Sequence, residues 1–240
     1  VRTEQAGRAA GETAAGETAA GETVPGETAV AMARDRLVAC GRVLLARGLL
    51  SQTSGNLSIR VSDDEVCITP SSMEYDRIEP ADIVVTGLDG TVRSGTRQPS
   101  SETPLHCLVY QSRPDVSAIV HTHSPHATTL AVLGLPIPAV HYMIALTRTI
   151  RIEVAGYATY GTEALARNVR DAFGAPARAV LIANHGLVAV GATLQEAADV
   201  AEATETLAGL YYRALAIGKP NVLTQEQMAE VLVKYQEKAR

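Results

Sequence analysis

Lysine is nearly missing from this chain. Its three copies, Lys219, Lys234 and Lys238, all stand near the C-terminus, which argues against chemistry through an imine on a buried lysine. Cysteine is scarce too: Cys40, Cys67 and Cys107 are widely spaced and odd in number. They form neither a disulfide framework nor a Cys-X-X-Cys metal pair, and read as small buried hydrophobes in a reducing compartment. No apolar run approaches the ~20 residues of a membrane span, and the N-terminus shows no apolar core of a secretory signal. The expectation is a soluble, cytoplasmic protein. Basic runs are missing as well. The net charge of −5 divides into −3 over the first 28 residues, where five Glu face Arg2 and Arg8, and −2 over the rest. Nothing there would track a phosphate backbone, so no nucleic-acid partner is expected. A nucleophile elbow, a Walker A loop and a Gly-X-Gly-X-X-Gly fingerprint are all absent, which leaves serine-hydrolase and nucleotide-binding readings without local support.

What is present suffices for one large domain: 240 residues, 46% of them apolar, can bury a sizeable core. Residues 11–30 repeat a five-residue Gly-Glu-Thr unit. A glycine in every unit weakens a helix and no large side chain is available to bury, so residues 1–28 are expected to form a flexible acidic tail. The domain proper is then 29–240. Its first helix is predicted over about Ala29–Leu49, from the apolar stripe Met32, Leu37, Val38, Val43, Leu44 and Ala46, with Gly48 as a stop. Short strands follow around Leu57–Val61, Val66–Thr69 and Ile83–Thr86, with an Asp89-Gly90 turn. A helix capped by Ser100 or Ser101 runs to about Ser112, and Ala118–Thr122 is an apolar strand. Helices are predicted at Pro125–Leu133, Glu163–Phe173, Leu194–Ile217 and Thr224–Gln236, with strands at Ala179–Ala183 and Leu187–Val190. The fold class is α/β: a single domain with a central, largely antiparallel sheet flanked by helices.

His121-Thr122-His123, followed by His185 in Asn184-His185-Gly186, carries the chemistry. Side chains at i and i+2 of a strand leave the same face, so His121 and His123 project together. His185 on a turn can approach from elsewhere in the sheet. Three neutral imidazoles suit Zn²⁺ and leave a position open for water or substrate, although Mn²⁺ or Co²⁺ would also fit such a site. Glu102 can be a ligand, a general base, or a charge at a helix N-terminus. Beside a Lewis-acidic metal that polarises a carbonyl, it can take a proton from the adjoining carbon, which makes an enediolate accessible without a lysine. Ser54-Gly55-Asn56, Thr69-Pro70-Ser71-Ser72 and Ser100-Ser101 are turns whose N–H groups can hold a phosphate. Ordinary turn formation explains each one separately; their joint occurrence is what suggests an anion. Among the other histidines, His106 lies one helical turn after Glu102 and could orient it, with a packed helix residue as the favoured reading. His126 reads as a cap or a neighbour of the metal shell, and His141 as pointing away from Tyr142.

Thr53-Ser54-Gly55-Asn56, Ile68-Thr69-Pro70, Pro99-Ser100-Ser101-Glu102, Val120-His121-Thr122-His123, His141-Tyr142-Met143-Ile144-Ala145 and Asn184-His185-Gly186-Leu187 occur in one order. Together they resemble the class II aldolase/adducin-type family over about residues 30–236. The resemblance implies that His121, His123, His185 and, before substrate arrives, Glu102 bind Zn²⁺, with Glu102 as acid/base. It also implies that Gly55, Asn56, Ser71, Ser72, Ser100 and Ser101 form the phosphate pocket. Tyr142 would reach a neighbouring subunit's site to serve the aldehyde oxygen, in a homotetramer with sites between subunits, and Arg148 is a candidate for phosphate, interface or plain surface contacts. The implied reaction is cleavage of a ketose 1-phosphate to dihydroxyacetone phosphate and an aldehyde. A ribulose-5-phosphate 4-epimerase, a methylthioribulose-1-phosphate dehydratase and a non-catalytic adducin-like binding module are the alternatives. Two departures stand out: Ser72 replaces a glycine common in the phosphate turn, and no tyrosine after Tyr235 matches the family's C-terminal one.

Overall fold

The computed structural model describes residues 25–238, with side chains over residues 26–235. The Gly-Glu-Thr repeats up to residue 24, and with them most of the expected flexible tail, lie outside that range. The first helix, α1 (Pro25–Ala46), begins earlier than the expected Ala29. Proline tolerates a first turn because its missing N–H has no intrahelical partner, and Glu27 in that turn favours the helix dipole. The helix ends before Gly48, whose φ of 74° no helix accommodates. Its buried face is Ala33, Leu37, Val38 and Leu44, whereas Met32 and Val43 of the expected stripe are exposed.

After α1 come β1 (Asn56–Arg60), β2 (Glu65–Ile68), β3 (Val84–Gly87), β4 (Val92–Ser94), α2 (Thr103–Ser112), β5 (Ala118–Thr122) and α3 (Pro125–Val132). The chain continues through β6 (Ile137–Pro138), β7 (Arg151–Ile152), β8 (Val154–Ala155), α4 (Glu163–Ala172), β9 (Ala179–Ile182), β10 (Gly186–Gly191), α5 (Leu194–Ile217) and α6 (Gln225–Lys238). Eight strands form one sheet in the order β4-β3-β2-β1-β5-β10-β9-β8, and β6 pairs with β7 in a small ribbon. Every pairing is antiparallel except β8 with β9. The architecture is therefore the α/β domain with a largely antiparallel sheet that the sequence predicts.

β5 runs through the middle, between β1 and β10, and all five of its residues are buried. Its pleat divides the core. Ala118 and Val120 face the cluster built with α1, α3 and α5, while Ile119 joins Leu105, Val109 and Tyr110 of α2 and Leu165 and Val169 of α4 on the other side. His121 and His123 share the parity of Ile119, so β5 delivers both imidazoles to the α2 side. The register sets Asn56 of β1 opposite His121, and Leu187 of β10 opposite Thr122. Asn56 and His121 thus stand on adjacent, buried strands at the middle of the sheet.

Candidate active site

The strand-borne residues converge on the N-terminus of α2. Rather than Ser100 or Ser101, Glu102 occupies the cap position, and the helix starts at Thr103. The Ser100 hydroxyl accepts from the Glu102 N–H at 3.2 Å and so shapes the turn before the helix. Glu102, His121, His123 and His185 each offer one ligand atom, all within 4.8 Å of one another. His121 Nε2 lies 2.9 Å from Glu102 Oε2 and 3.0 Å from His123 Nε2, and His185 Nε2 lies 3.4 Å from Glu102 Oε1.

This set fits a divalent cation. His121 Nδ1 donates to the Leu187 carbonyl at 2.9 Å, which leaves Nε2 of the neutral ring as a lone pair aimed at two further acceptors. Such a cluster of lone pairs needs a proton or a cation at its centre. Burial alone would raise the Glu102 carboxyl, but His121, His185 and the Asn56 amide outweigh it and hold it well below the ordinary carboxylate range. Burial would lower His121, yet the facing carboxylate overrides this and raises it. Burial, reinforced by neighbouring imidazoles, pushes His123 down to about 3 and His185 to about 4, so both rings are neutral and ready to bind a metal.

The three turns are laced together beside the cluster. Ser71 N–H donates to Gln98 O at 2.9 Å, Ser100 N–H to Thr69 O at 3.1 Å, and Leu57 N–H to the Thr69 hydroxyl at 3.1 Å. The result is one cavity of about 360 Å³ whose wall includes Gly55, Asn56, Ser71, Ser72, Ser100 and Ser101, with Glu102, His123 and His185 on the same surface. Gly55 adopts φ 82°, and a Cβ there would sit 2.6 Å from the His121 carbonyl, so only glycine lets the turn approach the strand so closely. Ser72 stands at φ 57°, a left-handed backbone that glycine adopts more readily than serine. The Asn56 side chain is committed inward: Nδ2 donates to Glu102 Oε2 at 3.0 Å, and Oδ1 lies 2.6 Å from His106 Nε2.

Several expectations need correction. His106 does more than pack: it is fully buried and bonded to Asn56 and Ser58. His126 lies against Tyr212, ring centroids 5.1 Å apart, with Arg213 nearby, while its backbone N–H donates to Glu205. His141 does not point away from Tyr142, since their rings are 4.4 Å apart; its Nδ1 caps the following 3-10 turn by accepting from Met143 N–H. Tyr142 itself is exposed in that turn and is not part of the cavity wall. Arg148 pairs with Glu196 at 3.1 Å. Tyr157 and Tyr160, which the sequence reading passed over, line the cavity yet are mostly exposed. Their only signal is two aromatics in a loop, which no periodicity marks.

The Class II Aldolase and Adducin N-terminal domain family matches residues 35–212. The chain is 41% identical over 204 residues to the 5-deoxy-D-ribulose 1-phosphate aldolase of Bacillus thuringiensis serovar kurstaki, covering 85% of this chain and 95% of that protein. It is 42% identical over 202 residues to the 5-methylthioribulose-1-phosphate/5-deoxyribulose-1-phosphate aldolase of Rhodospirillum rubrum, covering 84% and 90%. Among solved structures, an L-fuculose 1-phosphate aldolase superposes with a TM-score of 0.82 at 40% identity, over 85% of this chain and 96% of that one. With the fold, the histidine–carboxylate cluster and these relatives in agreement, the chain belongs to the class II aldolase and adducin N-terminal domain family and is an enzyme of its aldolase type.

Proposed function

We propose that this protein is a Zn²⁺-dependent lyase that reversibly cleaves a ketose 1-phosphate into dihydroxyacetone phosphate and an aldehyde. The observation that carries the reading is Glu102 Oε1: it is buried, without a hydrogen-bond partner, and its carboxylate stands on the wall shared by the imidazole cluster and the serine turns. The named relatives act on 5-deoxyribulose 1-phosphate, 5-methylthioribulose 1-phosphate and L-fuculose phosphate, and sugars of that class are the substrates we assign.

His121, His123 and His185 would hold the metal, with Glu102 as a fourth ligand before substrate arrives. A bound divalent cation supplies Lewis acidity that polarises the substrate carbonyl. The turns at Gly55, Ser71, Ser72, Ser100 and Ser101 hold the phosphate through backbone N–H and hydroxyl donors, and the second hydrogen of Asn56 Nδ2 completes the set. In the synthetic direction Glu102 Oε1 takes a proton from the carbon beside the carbonyl. That carbon then attacks the aldehyde carbon, and the Tyr142 hydroxyl of a neighbouring copy gives its proton to the aldehyde oxygen. Cleavage runs the same transfers backwards: the C4 hydroxyl proton returns to tyrosine, the C3–C4 bond opens, and Glu102 returns its proton to carbon. The exposure of Tyr142 outside its own cavity suits this role in a homotetramer. No helix of the described residues is long and apolar enough to cross a membrane, and a cytoplasmic enzyme is the reading we adopt.

Offering ketose 1-phosphates and L-ribulose 5-phosphate side by side tests the proposal. Release of triose phosphate from the former supports it. Epimerisation of the latter without release would replace it with the epimerase reading, and loss of water from methylthioribulose 1-phosphate without release would replace it with the dehydratase.

A further inference from the structure

Behind Glu102 runs a buried line of hydrogen bonds that takes no part in binding metal. Glu102, His106 and Tyr110 are spaced four apart, so they form one stripe of α2, and that stripe faces β1. From β1, Asn56 and Ser58 alternate onto the same side and fill the gaps. Tyr110 Oη lies 2.8 Å from Ser58 Oγ, Ser58 Oγ 2.7 Å from His106 Nδ1, His106 Nε2 2.6 Å from Asn56 Oδ1, and Asn56 Nδ2 3.0 Å from Glu102 Oε2. His106 and Ser58 are wholly buried and Tyr110 nearly so.

The direction of this line is fixed at its end. A carboxylate only accepts, so the Asn56 amide must turn its NH₂ to Glu102 and its oxygen to His106. The imidazole must then donate from Nε2, which in a neutral ring leaves Nδ1 as an acceptor. Ser58 therefore donates to Nδ1, and with its only hydrogen used, it accepts from the Tyr110 hydroxyl. Each group has one arrangement that satisfies all its neighbours. Reversing any member would set two acceptors, or two donors, against each other in a dry interior, where an unmade bond is costly.

We propose that His106 is a positioning residue for Glu102, acting through Asn56 and set in its tautomer by Ser58. By locking the Asn56 amide it ties down Oε2 and fixes Oε1 on the other side of the carboxylate, 3.4 Å from His185 Nε2 and without a hydrogen bond. The two oxygens of one carboxylate thereby receive different tasks: Oε2 is held by Asn56 and His121, and Oε1 is left for the substrate's proton. The inference rests on Glu102 being the acid/base, but the tautomer of His106 can be tested without that reading.

The experiment pairs His106→Leu with His106→Gln. Glutamine can donate from its amide nitrogen to Asn56 and accept from Ser58 through its oxygen, so it keeps the direction of the line; leucine keeps only bulk. Mutating supporting groups of this kind around metal sites commonly costs about 10- to 100-fold. The expected result is a fall of that size in kcat for His106→Leu, with KM for the ketose 1-phosphate shifted by less than about threefold. His106→Gln should recover most of the loss at an unfolding temperature similar to that of His106→Leu. Ser58→Ala, which frees Nδ1, should lower kcat in the same sense and serves if His106→Leu does not fold. Independently, nitrogen-15 spectra of the metal-free wild type should show His106 as a neutral ring protonated at Nε2. A ring protonated at Nδ1, a folded His106→Leu enzyme with wild-type kcat, or equal damage from Gln and Leu would overturn the proposal. If the wild type releases no triose phosphate, the aldolase reading fails instead, and the spectra still decide the tautomer.

Discussion

Glu102 Oε2 lies 2.9 Å from His121 Nε2, and both residues are buried. The same carboxylate holds its second oxygen, Oε1, without a hydrogen bond and 3.4 Å from His185 Nε2. Glu102→Gln keeps the size and one oxygen but removes the base. We expect the variant to retain bound metal, because three imidazoles remain, and to lose about 10²- to 10⁴-fold in kcat. Metal content and triose phosphate release measured on one preparation check this; full metal together with full activity would remove Glu102 from the base role.

Removing the metal should loosen the domain as well as silence it. Lone pairs from β5, the turn before β10 and the N-terminus of α2 face one another at the cluster. A cation there joins three elements. Zn²⁺ at about 100 times its Kd should stabilise the fold by about 2.7 kcal/mol. Thermal unfolding with and without a chelator measures the difference, and an unchanged midpoint would speak against a metal at this position.

Gly186 sits at the start of β10, where an added Cβ would overlap the Thr122 carbonyl and crowd the His123 ring at 3.0 Å. Gly186→Ala must push β10 away from β5 or displace His123. The expected cost is about 1–3 kcal/mol, together with weakened metal binding. Denaturant unfolding and metal titration read the two effects. A variant with wild-type values for both would show that the contact relaxes freely.

Acid should destabilise the metal-free protein well above the ordinary range of carboxylates. Burial, with a smaller push from His121, lowers His106 from 6.5 to about 3, so its folded form stays neutral while the unfolded ring protonates. Between those values the unfolded state binds more protons, and stability falls as the pH drops from 6.5 towards 3. The slope from one such ring is at most about 1.4 kcal/mol per pH unit. His123 and His185 act with the same sign. Unfolding curves collected across this window should be less pH-dependent in His106→Gln than in the wild type; identical slopes would contradict the neutral buried ring.

The fold class and the grouping of His121 with His123 were legible in the sequence because their signals are local. Alternation along Ala118–His123 places both imidazoles on one face, and the helix expected at Leu194–Ile217 is α5, where the structure adds the Thr193 side chain as its cap. What escaped depends on contacts between elements. The Asn56 amide looks like part of an anion turn until the register of β1 with β5 brings it to Glu102. His106 reads mainly as packing until Ser58 and Asn56 arrive from β1. The start of α1 was missed because a glycine-rich repeat carries poor helix propensity, while Pro25 at the helix start and Glu27 in its first turn favour a beginning inside it. Tyr157 and Tyr160 acquire meaning only from the cavity they border.

The most direct test of the account is triose phosphate release from 5-deoxyribulose 1-phosphate and L-fuculose 1-phosphate by the zinc-loaded protein, repeated after chelation and after zinc is restored. Release from at least one of these sugars is expected, with its loss on chelation and its return with zinc. No release by the loaded protein, or release that persists in full after the metal is stripped, would contradict it.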